Sequence, residues 1–161
     1  DILKKATSRE IANDASALSL LILDNTGLDS TDEAMKAYSS VELLLFQHQY
    51  DKALDTLQVL YEKYQDHSLA DEIRWLQATT CIRLDRNKEA EKYLLDIVEK
   101  YYYDILGDNA VYQLAVLYET KLKNKEEAMR YYQMLLEKYP ASIFVAEARR
   151  KFRLLRGDII N

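Results

Sequence analysis

The chain is 161 residues long, the size of one ordinary domain, with 48% hydrophobic and 30% charged residues. That balance excludes a disordered chain, and only 3 glycines and 1 proline leave little material for hairpin turns, so the composition points to an all-α fold. The formal net charge is −5 and no basic run precedes the last predicted helix, which excludes nucleic acid as the expected partner, because phosphate binding needs clustered Lys and Arg.

Cys81 is the only cysteine, so no disulfide can form within the chain. Apolar runs such as "LLIL" (Leu20 to Leu23) fall far short of the roughly 20 residues a membrane-spanning helix needs. The chain opens on Asp1 and carries no visible signal peptide, so it is read as part of a longer protein.

Apolar spacing and chain breaks predict eight helices, over residues 8–24, 31–47, 50–64, 69–84, 87–101, 107–121, 124–139 and 142–156. After the first comes the longest break, "DNTGLDS" (residues 24–30). Its carboxylates lack the ligand spacing of a calcium loop, so it reads as a polar turn. "STDE" from Ser30 and "SLAD" from Ser68 match the capping-box pattern, in which a serine oxygen accepts from the free backbone N–H groups of a helix start. Pro140 stops the seventh helix.

The phrase "EKY" closes the third, fifth and seventh helices, at residues 62–64, 99–101 and 137–139. Upstream of each stands an alanine, Ala53, Ala90 and Ala128. Earlier still stands another compact residue, Val41, Ala78 and Ala115. Each unit therefore reads as a helical hairpin whose helices touch through small side chains. One hairpin cannot bury its apolar face alone, so the units must stack as a solenoid.

On these residues the chain resembles the tetratricopeptide repeat. The stretch from Tyr112 to Pro140 carries the pattern best, with Leu114, Ala115 and Tyr118 in its first helix and Ala128, Tyr132, Leu135 and Pro140 in its second. The first unit (Val41, Leu44, Ala53, Leu57, Leu60) has Gln65 in place of the proline. The second (Ala78, Cys81, Ala90, Leu94, Ile97) has Tyr102 there. The resemblance implies a right-handed superhelical solenoid forming a single domain over residues 1–161, with full repeats at 31–66, 67–103 and 104–141 and flanking helices at 8–24 and 142–156. Ala53, Ala90 and Ala128 are spaced by 37 and 38 residues, longer than the family's usual repeat. That length, the "YPAS" joint at Tyr139 and the ending "AEARRKFRLLRGD" resemble the bacterial cell-envelope branch, of Bacteroidetes type. The branch implies the periplasm or cell envelope, with the cytoplasm as the alternative.

No catalytic set is apparent. His48 and His67 are the only histidines and fall in predicted turns, and Cys81 stands where the family places a packing residue. No glycine-rich phosphate loop or metal-ligand spacing occurs, so no cofactor and no enzymatic activity are expected. "RGD" (Arg156 to Asp158) reads as a glycine helix cap.

The resemblance instead implies binding of a protein or peptide segment, extended or helical, in a groove lined by the first helix of each hairpin. Mapped by position, the first hairpin contributes Met35, Tyr38, Glu42 and Leu45. The second contributes Glu72, Trp75, Thr79, Ile82 and Arg83, and the third Asn109, Tyr112, Val116 and Glu119. Tyr38, Trp75 and Tyr112 occupy one repeat position and would supply large, stiff anchors. The Lys and Asn carboxylate clamp of chaperone-binding members is missing. A separate basic cluster, Arg149, Arg150, Lys151, Arg153 and Arg156, reads first as charge favourably placed near a helix C-terminus and second as a docking patch. The rival to a binding module is a structural spacer that self-associates through its terminal helices.

The hairpin contact is open to test. Ala90→Leu should overpack it and cost roughly 1–3 kcal/mol, lowering the thermal midpoint; an unchanged melt would remove Ala90 from the contact.

Overall fold

The computed structural model describes residues 33–158. These form seven α-helices and, among the described residues, no strand: α1 (Glu33–Phe46), α2 (Tyr50–Tyr64), α3 (Ala70–Arg83), α4 (Asn87–Lys100), α5 (Gly107–Thr120), α6 (Lys125–Lys138) and α7 (Val145–Arg156). The helix expected over 8–24, the polar turn at 24–30 and the "STDE" cap lie outside the described residues. Each of the other predicted helices is present, with ends displaced by no more than about three residues.

The described residues divide into two compact units, one through residue 69 and one from residue 70. In the first, α1 packs against α2. In the second, α3 packs on α4, α4 on α5, α5 on α6 and α6 on α7, so within that unit each helix meets the next in sequence, as stacked repeats do. The compact residues sit where the hairpins close. Val41, Ala53, Ala78, Ala90, Ala115 and Ala128 are all fully buried. Leu57, Leu94, Ile97, Leu114, Tyr132 and Leu135 complete the core around them, while Leu44 is only half-buried. Cys81 is buried too; burial first, and then the charge of Glu89, push its thiol up to about 11, so it packs as an inert thiol.

Every hairpin turns through a residue in the left-handed region: His48 (φ 59°), Asp85 (φ 58°) and Lys123 (φ 55°). Glycine is the usual occupant of such a position, and its scarcity hid these turns from the sequence. In the first two, the N–H of the next residue reaches back five positions, Gln49 to the Leu44 carbonyl at 2.9 Å and Arg86 to Cys81 at 2.8 Å. In the third, Asn124 reaches back six, to Tyr118 at 2.9 Å. One extra residue therefore lies in the third turn, which is why the alanine spacing grows from 37 to 38. Asn124 caps α6, its Oδ1 accepting the Glu127 N–H at 3.2 Å.

The joints between hairpins also repeat. The N–H groups of His67, Asp104 and Ser142 each donate to the carbonyl three residues back (Tyr64, Tyr101, Tyr139) at 3.0 Å. In the first joint His67 Nδ1 accepts the Leu69 N–H at 3.1 Å, and in the last Ser142 Oγ accepts that of Phe144 at 3.2 Å. The side chain that serves the start of α3 is thus His67, one residue before the serine expected to cap it. Likewise Ser142 belongs to the joint, and α7 begins three residues later than its predicted start.

α3 buries polar residues that its sequence spreads around the helix. The guanidinium of Arg74 pairs with Asp96 of α4 at 2.6 Å, donates to Gln77 Oε1 at 2.8 Å and lies over the Tyr93 ring. Lys100 also reaches Asp96, at 2.7 Å. Burial opposes the Asp96 charge, but the Lys100 and Arg74 contacts outweigh it and hold the carboxyl below its ordinary range. This cluster ties the two helices of its hairpin with a direction that apolar contacts alone would not supply.

Lys123 has neither the short side chain that tolerates the left-handed region nor an ion pair among the described residues. Lys123→Gly should stabilise the fold by about 0.5–1 kcal/mol; a thermal midpoint that falls would mean that the lysine side chain holds the turn.

Candidate functional site

The first helices of the second unit keep one stripe each partly open. On α3, Trp75, Thr79 and Ile82 are half-buried at spacings of four and three, whereas Ile73, Ala78 and Cys81 are buried. Thr79 Oγ1 donates back to the Trp75 carbonyl at 2.9 Å, which leaves its methyl group as the outer contact. Glu72 is half-buried and Arg83 exposed. On α5 the corresponding stripe is Asn109, Tyr112, Val116 and Glu119, all half-buried, while Ala110, Val111, Leu114, Ala115, Leu117 and Tyr118 are buried.

The first unit is different. Tyr38 is only 4% exposed, so it offers no surface to a partner in this structure and acts as a core residue. Leu45 is half-buried and Glu42 exposed. The side chain of Met35 lies outside the described residues.

Tyr112 serves packing as well as surface. Its ring stacks on Phe144 with centroids 4.4 Å apart and planes 7° from parallel, and Tyr132 approaches at 6.2 Å. Glu119, at the other end of the same stripe, accepts from Tyr132 Oη at 2.6 Å and from Lys151 Nζ of α7 at 2.8 Å. Burial disfavours the Glu119 charge, but the Lys151 and Tyr132 bonds outweigh it and hold the carboxyl below its ordinary range. Burial and the bond to Glu119 push the Tyr132 hydroxyl in the opposite direction, far above its own range. The aromatic stack and the ion pair fasten the joint before α7 and α7 itself to α5.

Four of the five basic side chains of α7 pair with carboxylates of the same chain, two of them sharing Asp158. Arg150 pairs with Glu147, Lys151 with Glu119, and Arg153 and Arg156 with Asp158. Arg149 is exposed and, among the described residues, has no ion pair. The "RGD" residues form a helix stop. Gly157, at φ 100°, donates to the Leu154 carbonyl, Asp158 N–H donates to Arg153, and the Asp158 carboxylate receives both arginines.

One surface was missed by sequence reasoning. The joints after α4 and α6 border a cleft of about 750 Å³ whose lining includes Tyr102, Tyr103, Asp104, Ile105, Asp108 and Tyr139. Tyr102, Tyr103 and Ile105 are 56%, 71% and 65% exposed, against the usual burial of such side chains. Tyr139 Oη donates to the Tyr102 carbonyl at 2.7 Å. Gly107 permits this approach, since a Cβ there would stand 2.5 Å from the same carbonyl oxygen and 3.0 Å from Tyr139 Oη. The visible signal was the run "YYYDI" (Tyr101 to Ile105) in a turn, where large rings have little core to enter.

Among the described residues no group of three or more His, Cys, Asp and Glu side chains is arranged to hold a metal, and no helix is long and apolar enough to cross a membrane. Residues 109–142, which cover most of α5, all of α6 and the start of the joint that follows, match the family model of the tetratricopeptide repeat. The match supports a tetratricopeptide-repeat protein, in agreement with the hairpin packing. No curated protein matches the chain.

The Glu119 contacts imply a pH dependence with a definite sign. A carboxyl held below its ordinary value of 4.5 in the fold contributes stability that is present above that pH and lost as pH falls through the folded-state value. The thermal midpoint should therefore fall in acid, and Glu119→Gln should lower it near neutrality while flattening the acid limb. An unchanged acid limb in the variant would remove Glu119 from the source of that dependence.

Proposed function

We propose that the chain is a non-enzymatic protein-binding module whose first helices present a groove to an extended or helical segment of a partner protein. The observation that carries this reading is the pair of open stripes. α3 and α5 bury most of their apolar side chains yet leave Trp75, Thr79 and Ile82 partly exposed on one and, at the matching repeat positions, Tyr112, Val116 and Glu119 partly exposed on the other. Tetratricopeptide repeats generally mediate protein–protein interaction, and the match over residues 109–142 supports the same role for this chain. Trp75, the only tryptophan, is the best anchor, offering a broad apolar face and one N–H donor. The resemblance of the repeat length and of the chain ending to bacterial envelope proteins supports a place in envelope biogenesis or assembly.

A spacer reading draws on two of the three aligned aromatics. Tyr38 is buried and Tyr112 stacks on Phe144, so both contribute to packing. In that reading the repeats connect other parts of a longer protein, and association occurs through the terminal helices.

The two readings separate in a pull-down from bacterial envelope and cytosolic extracts, comparing wild type with a Trp75→Ala, Ile82→Ala variant shown to melt cooperatively. The groove reading expects a partner retained by wild type and reduced at least about tenfold by the variant, as loss of a central aromatic anchor implies. Equal recovery by both proteins would overturn it. Acrylamide quenching of Trp75 gives a second check, because a fully shielded indole could not serve as an anchor.

A further inference from the structure

The cleft bordered by the joints after α4 and α6 has a composition distinct from the helical stripes. Its walls are tyrosine rings, with Tyr102 and Tyr103 set edge to face at 5.3 Å, and its polar groups include the carboxylates of Asp104 and Asp108. Among the described residues neither carboxylate has an ion pair; Asp108 accepts from the Asn109 side-chain amide at 3.1 Å. Lys138 also lines the cleft, so two acids face one base. Burial and the charge of Asp71, on the first turn of α3, both push the Asp104 carboxyl above its ordinary range, the opposite of what a neighbouring cation would do. The site thus combines exposed aromatic area with negative charge that the fold leaves unbalanced.

We propose that this cleft receives an arginine side chain from a segment of a partner protein, the guanidinium lying against the tyrosine rings and facing Asp104 and Asp108. Arginine fits better than lysine. Its planar, weakly hydrated head stacks on aromatic faces and offers parallel N–H donors to carboxylates, whereas the compact ammonium stays strongly hydrated. Exposed Ile105 provides apolar contact for residues flanking that arginine. The surface is separate from the stripe of Trp75 and Ile82, so either can fail without the other.

The test uses arrays of octapeptides, random except for a fixed central Arg, Lys, citrulline or Leu, probed with the whole chain. Citrulline keeps the shape of arginine and lacks its charge. Retention on the arginine set should exceed that on the citrulline set roughly tenfold and should fall as salt is raised. Asp104→Asn with Asp108→Asn should reduce arginine retention to the citrulline level. Tyr103→Ala, at an exposed ring with little part in folding, should weaken it several-fold. Equal retention across the sets, no retention on any, a lysine set that matches arginine, or indifference to the aspartate changes would each overturn the proposal. Sedimentation showing self-association that the aspartate changes abolish, without peptide retention, would assign the cleft to a second copy of the chain and likewise overturn it.

Discussion

The close approach of the two helices in each hairpin is the constraint on which the rest depends. Ala53, Ala90 and Ala128 on the second helices are fully buried, as are Val41, Ala78 and Ala115 on the first, and a larger side chain at any of them would have to displace packed neighbours. The large residues Leu57, Leu94 and Leu135 are fully buried on the same helices and complete the core within each unit. Sequential stacking follows, because a hairpin closed through small residues still has an apolar outer face to cover.

Polar contacts then fix what apolar packing leaves loose. In the second unit three carboxylates link successive helices: Asp96 to Arg74, Glu91 to the Tyr118 hydroxyl, and Glu119 to Tyr132 and Lys151. Each acid is partly buried and each is held in its charged form by the groups around it, against the cost of burial. At the turn end, Lys121 and Asp85 join two hairpin turns at 2.9 Å. Exposed pairs of that kind contribute little to stability, whereas the part-buried ones give the stack its register.

The surface that remains is of two kinds. Half-buried stripes on the first helices offer apolar and aromatic contact with few charges, suited to a segment that buries its own apolar anchors. The joint cleft offers rings and acids, suited to a cationic side chain. The arginines of α7, by contrast, are mostly occupied by carboxylates of the same chain.

The local signals were sufficient for the hairpins. Apolar spacing, the "EKY" phrase and the aligned small residues determine helix number and pairing over residues 33–158, because helix formation and small-residue contact depend on near neighbours in the chain. The "RGD" glycine was legible as a cap for the same reason. Tertiary structure decided the rest. Whether Tyr38 is buried or open depends on what packs over it, and Tyr112 gained its stacking partner from a residue 32 positions away, Phe144. Lys151 and Glu119 are likewise 32 residues apart, a distance at which no spacing rule marks a pair. The left-handed turns at His48, Asp85 and Lys123 were hidden because hairpin closure imposed a conformation those residues do not themselves prefer. Local propensity could choose the elements, but only their stacking could decide which side chains remained for a partner.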